Sequence, residues 1–184
     1  MVNGAKRSSG ICRPGFYDWP KTVDTMIDDK PVDAVVFAVG INDQLPMETA
    51  EGKRVGYPTE PWKVEYQARL AGIMQKLVGA SVPTFWVGLP IMRDKVHANH
   101  ARMLNEFFAA LTKAEGVTYI PTWEMTADEN GEFSTYLPDQ DGRKRMMRAN
   151  DGIHFTSTGY DLLGRAILAS MASELPVLQA DATQ

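Results

Sequence analysis

The sequence has a single cysteine, Cys12, so no disulfide can form within the chain and cysteine usage does not reveal the redox compartment. It has no apolar run near the roughly 20 residues that a membrane-spanning helix requires. The start, Met1-Val2-Asn3-Gly4-Ala5-Lys6-Arg7, has no apolar stretch after its charges and does not read as a signal peptide. No charge sign dominates: 19 Lys and Arg stand against 23 Asp and Glu, a net charge of −4, which excludes a general nucleic-acid or anionic-membrane surface. Internal repeats, low-complexity tracts and interior linkers are absent. So is a phosphate-binding glycine loop, because Gly4 and Gly10 are spaced wrongly for either fingerprint. His97 and His100 lie three apart, but no carboxylate or third ligand stands at a telling spacing, so they read as helix-surface polarity. No metal and no cofactor is expected.

What is present fits one soluble α/β domain over residues 1–176, followed by a tail over 177–184. At 184 residues the chain can bury one full core but not two ordinary ones. Asp18 precedes Trp19-Pro20, and Val23, Met26 and Ile27 recur at helical spacing, giving a capped helix that Pro31 ends. Residues 34–39, Ala-Val-Val-Phe-Ala-Val, form a continuous apolar run, as in a strand of a parallel sheet covered on both faces. Residues 44–60 read as a long surface loop. A helix from Thr59 to Val78 follows, with Gly79 as its stop. Residues 83–90 are a second buried strand, a third helix carries Met103, Leu104, Phe107, Phe108 and Leu111, and residues 117–120 are a short strand. Residues 122–152 read as irregular apart from a two-residue hairpin turn around Asn130-Gly131. A last helix runs from Thr156 or Ser157 to Pro176. Strands alternating with helices predict a parallel sheet between helical layers. Trp62, Tyr66 and Trp86 read as core aromatics.

Ligands of open α/β sheets bind where strands end at their carboxyl side. Gly40-Ile41-Asn42-Asp43 follows the strand 34–39, and the Asn42 amide is a suitable donor to an oxyanion, although Gly-x-Asn-Asp is also ordinary turn chemistry. Asp151-Gly152-Ile153-His154 precedes the last helix. Residues three apart can face the same way, so Asp151 can fix one imidazole nitrogen of His154 and leave the other as a base. The bland alternative is a helix-capping Asp beside a loop His. The run Gly142-Arg143-Lys144-Arg145-Met146-Met147-Arg148 reads either as a solvated loop or helix face or as an electrostatic lure for an acidic or sugar-bound substrate.

Together, Gly40-x-Asn42-Asp43 after a buried strand and Asp151-x-x-His154 before the C-terminal helix, roughly 110 residues apart, resemble the SGNH hydrolases, the GDSL-like superfamily. The resemblance runs from about residue 2 to 175 and implies a flavodoxin-like three-layer α/β/α sandwich. It implies hydrolysis of acyl esters of lipids, sugars or small alcohols, or acyl transfer, on an acylated small molecule or carbohydrate. It assigns Asp151 and His154 as triad acid and base, Asn42 as an oxyanion donor, and Gly10 as the second, through its N–H. Trp123, Tyr136, Arg145 and Arg148 become candidate pocket residues. The stretch from Ser8 to Pro20 looks most like a bacterial, extracytoplasmic branch, which implies a periplasmic or extracytoplasmic location.

One family motif has no counterpart. The Gly-Asp-Ser-Leu segment that supplies the nucleophile belongs at the end of a first strand, and the sequence opens at what corresponds to the second. Ser8 and Ser9 lie in the Gly10 loop, and nothing adjacent to Cys12 lowers its thiol pKa. The expectation is therefore a chain without an identifiable nucleophile, inactive or nearly so, whose natural polypeptide extends upstream. The first strand would lie beside residues 34–39; without it, that strand has an unpaired edge and an uncovered apolar face. The alternative is a noncatalytic acyl-sugar binding or scaffold protein that keeps the fold.

Overall fold

The structure, a computed structural model, describes residues 3–29 and 32–175. In chain order it has α1 (Trp19–Asp29), β1 (Val35–Phe37), β2 (Met47–Glu48), β3 (Arg54–Val55), α2 (Glu60–Gly79), β4 (Thr84–Val87), α3 (Lys95–Glu115), β5 (Thr118–Ile120), a 3-10 turn (Glu124–Thr126), β6 (Tyr136–Pro138), β7 (Lys144–Met146) and α4 (Ser157–Glu174). This is a mixed α/β fold with a parallel sheet and, among the described residues, four α-helices. Pro31, Pro176 and the tail 177–184 lie outside the described residues.

The main sheet is ordered β1-β4-β5, and β1 pairs with β4 in parallel, Phe37 opposite Trp86. All four residues of β4 are buried, as its continuous apolar run predicts. In β1 the same expectation holds only on one face: Val35 and Phe37 are buried, but Val36 is 41% exposed. The reason is position, since among the described residues β1 is the edge strand of this sheet.

The described residues fall into two compact units. One comprises the chain up to Trp86 with Met103–Tyr119; the other comprises Val87–Arg102 and the chain from Ile120 onward. In the first unit Phe37 stacks on Trp86 at 4.6 Å, with Trp19 of α1 edge-on to Phe37 at 4.8 Å and Phe108 of α3 against Trp86 at 5.6 Å. Each large side chain buried this way contributes about 1.5–3 kcal/mol. Asp18 caps α1, accepting the Lys21 N–H at 3.0 Å. The stripe of α2 is Trp62, Tyr66, Leu70, Ile73, Met74 and Leu77, all buried, and Trp62 lies flat on Tyr66 at 4.7 Å. The segment read as a loop over 44–60 contains the short β2–β3 ladder, with Met47 and Val55 buried opposite one another.

In the second unit, residues read as irregular form a β6–β7 hairpin, Tyr136 opposite Met146. Asp139 organises its turn by accepting the N–H groups of Asp141 and Arg143 at 3.0 and 2.9 Å, and Gly142 turns at φ +74°. The basic run is therefore a hairpin arm, not a helix face. Near Asn130-Gly131, Asp128 and Glu132 close the loop by an N–H to carbonyl bond of 2.8 Å, which leaves three residues between them rather than two. The Asp128 carboxylate causes this by capturing the N–H groups of both Asn130 and Glu132. Thr156 caps α4, its hydroxyl accepting the Gly159 N–H at 3.2 Å.

Candidate active site

In the second unit, residues 149–154 form a closed loop. Its base is a bridge between Arg148 and Phe155, reinforced by the Ala149 N–H on the His154 carbonyl at 2.8 Å. Gly152 turns the chain at φ +73°, and a Cβ there would stand 2.5 Å from Cβ of Arg93, so both the backbone angle and the space require glycine. Inside the loop, Asp151 Oδ1 accepts the N–H groups of Ile153 and His154 at 2.8 and 2.9 Å, and Oδ2 meets His154 Nδ1 at 2.7 Å. These hydrogen bonds, the imidazole first, hold the Asp151 carboxyl far below the usual carboxylate range. The pair stands in the open, with side chains 46% and 69% exposed, and leaves Nε2 as the nitrogen available for proton transfer.

A helix-capping role for Asp151 does not apply, because Thr156 caps α4. Asp94, three residues before His97, shows what an ordinary cap looks like. There one oxygen, Oδ1, takes the Val96 N–H, the His97 N–H and His97 Nδ1, the last at 3.1 Å. At Asp151 one oxygen serves the backbone and the other is reserved for the imidazole.

Arg148 corrects the reading of the basic run. It is fully buried and lines no solvent-facing pocket. Its Nη1 donates to the Ile91 carbonyl at 2.6 Å, and its Nη2 to the Gly152 and Ile153 carbonyls at 3.2 and 2.9 Å. The guanidinium lies over the Phe155 and Phe133 rings at 4.5 and 5.2 Å. Burial lowers its pKa to about 10, so it remains a cation at neutral pH. Arg93 supports the same loop from outside, donating to the Asn150 carbonyl at 2.7 Å. Of the other pocket candidates, Arg145 is exposed and bonded to Asp139 at 3.2 Å, Tyr136 is exposed on β6, and Trp123 is half-buried under the Arg102 guanidinium at 5.0 Å.

In the first unit, the turn after β1 brings Asn42 and the Gly10 loop together. Asn42 Nδ2 donates to the Ser9 carbonyl at 3.0 Å, which leaves its second N–H uncommitted. The Ser9–Gly10 peptide is trans, so the Gly10 N–H points away from that carbonyl, and it donates to no described residue. Sequence reasoning missed the residue that shapes this loop. Asp43 is fully buried and accepts the Ile11 N–H at 3.0 Å, the Cys12 N–H at 2.9 Å and the Tyr66 hydroxyl at 2.9 Å. A Cβ at position 10 would lie 2.2 Å from its Oδ1, so Asp43 is why that residue is glycine. Ser8 sits at φ +60° and Ser9 is buried. Burial, and then the Asp43 charge, push the Cys12 thiol well above its ordinary value, which excludes it as a thiolate at neutral pH.

A family model described as Protein of unknown function (DUF459) matches residues 1–170. No curated protein matches the chain. Among solved structures, a GDSL-like lipase from Bacteroides thetaiotaomicron superposes with a TM-score of 0.55 at 16% identity, over 89% of this chain and 82% of its own. A variant of an acetyl-xylooligosaccharide esterase from Geobacillus Stearmophilus gives 0.58 at 17%, over 89% and 68%. A carbohydrate esterase of family 3 from Talaromyces cellulolyticus gives 0.57 at 13%, over 94% and 70%. These likenesses show the fold, that of GDSL- and SGNH-type hydrolases.

Proposed function

We propose that this chain, which belongs to the family described as Protein of unknown function (DUF459), carries the acid–base half of an ester hydrolase site. The observation that carries the reading is the 2.7 Å contact between a reserved oxygen of Asp151 and His154 Nδ1. Held this way, the neutral imidazole keeps its proton on Nδ1 and presents a basic Nε2 to a nucleophilic hydroxyl. By the resemblance to the SGNH hydrolases, Asn42, through its second N–H, and the Gly10 N–H are the proposed oxyanion donors. Acylated carbohydrates are the substrate class best supported, since two of the similar folds are carbohydrate esterases. The acyl-enzyme would be cleared by water or by a sugar hydroxyl.

This reading assigns no nucleophile among the described residues. These 184 residues are then expected to hydrolyse p-nitrophenyl acetate at or near background. Robust hydrolysis abolished by His154→Ala would instead make Ser8 or Ser9 the nucleophile. Fusing a Gly-Asp-Ser-bearing strand ahead of the chain is expected to produce hydrolysis that His154→Ala removes. Asn42→Ala should then lower kcat about 100- to 1000-fold, the usual loss for one oxyanion donor. A folded fusion that binds acetylated oligosaccharides without cleaving them would replace the enzyme by a binding protein.

A further inference from the structure

A buried side chain that is a cation at neutral pH and touches no carboxylate directly needs a reason to be there, because burial of such a cation is costly. Among the described residues Arg148 forms no salt bridge, and its Nε has no hydrogen-bond partner. What it does hold is specific. Its Nη2 grips the carbonyls of Gly152 and Ile153. Those carbonyls belong to the peptide units whose N–H ends are Ile153 and His154, the two groups that donate to Asp151 Oδ1.

Each of these two peptides therefore has a guanidinium on its oxygen and a carboxylate on its hydrogen. A trans peptide directs its C=O and N–H to opposite sides, so cation and anion stand on opposite faces of the loop with the peptide dipoles aligned between them. Bonds in such a chain polarise one another, and a peptide pulled at its oxygen is a stronger donor at its nitrogen. Nη1 on Ile91, 57 residues away in sequence, fixes the guanidinium from a second segment, and the flanking Phe133 and Phe155 rings exclude water from it.

We propose that Arg148 is a positioning residue that acts on His154 through two peptide units and the Asp151 carboxylate, holding that carboxylate ionised and aimed at Nδ1. The inference uses the esterase reading only for the consequence of a well-aimed imidazole; the relay is a property of the loop. Other charged or titratable groups facing Arg148 are Arg93 from the segment before α3 and Tyr160 from α4, and neither bonds to Asp151.

The test reads the imidazole rather than hydrolysis, so it stands or falls separately from the enzyme assignment. In the wild-type chain, nitrogen NMR of neutral His154 should show the proton on Nδ1. In Arg148→Gln, folded by circular dichroism, the tautomer should shift toward Nε2–H, and the Asp151 carboxyl should titrate at least one pH unit higher, a tenfold weaker acid. Arg148→Lys keeps the charge without the fork and should restore part of both. Unchanged tautomer and titration in folded Arg148→Gln would overturn the proposal. Should neither variant fold, Asp151→Asn serves from the exposed end: exchange of the Arg148 guanidinium protons should quicken severalfold, and no change there would equally overturn it.

Discussion

At the scale of single residues, the two Asp-x-x-His segments show why one pattern gives different chemistry. Asp94 spends one oxygen on three donors; Asp151 spends one on the backbone and keeps one for the imidazole. The pairing was legible in spacing, but the division of labour was not, because the segment that braces this loop, carrying Ile91 and Arg93, lies 57 residues away from its partners in sequence. Asp43 was read as half of a turn; its burial against Cys12 and Tyr66 is invisible without the fold. That cluster has a pH consequence. Burial, then the Asp43 charge, raise both the Cys12 thiol and the Tyr66 phenol above their unfolded values. The folded state therefore holds these protons more tightly than the unfolded chain. Their contribution to stability is fully present below the ordinary thiol range and drains away above about pH 9. Denaturant unfolding across pH 7 to 11 is expected to show stability falling on the alkaline side, with a shallower fall in Cys12→Ala. A parallel fall in that variant would remove the thiol from the account. Below pH 7 the native thiol should also resist alkylation.

At the scale of elements, what had strong periodicity or punctuation was readable. The stripe of α2, the Asp18 cap of α1 and the all-buried β4 follow from local pattern. What failed was short. A ladder of two or three residues, such as β2–β3 or β6–β7, has no period to detect, and its turn is made by a side chain, Asp139, capturing backbone donors. The loop 149–154 is of this kind, and glycine at 152 is its most exacting position. Gly152→Ala places a methyl 2.5 Å from Cβ of Arg93 at φ +73°. We expect a loss of about 1–3 kcal/mol, read as a lower Tm, together with weaker protection of the Ile153 and His154 amides. A variant with wild-type Tm and amide protection would mean that Arg93 yields freely and does not fix the loop.

At the scale of the whole molecule, the sheet edge carries the largest consequence. Val35 donates its N–H to Pro83 at 2.9 Å and so faces β4, which leaves the Val36 N–H and carbonyl on the other side of β1. Val36 is also 41% exposed, so a backbone unpaired among the described residues and an apolar side chain coincide at one place. Such an edge is a template for another strand. With a net charge of only −4, long-range repulsion between copies is weak. The 184-residue chain should therefore associate as concentration rises, which light scattering would follow, and Val36→Lys should suppress it by placing a charge on the edge. Fusing a serine-bearing strand should suppress it as well, because the same edge would then be occupied. The two readouts are linked: a fusion that gains His154-dependent hydrolysis while still associating like the parent chain would show that its strand sits elsewhere.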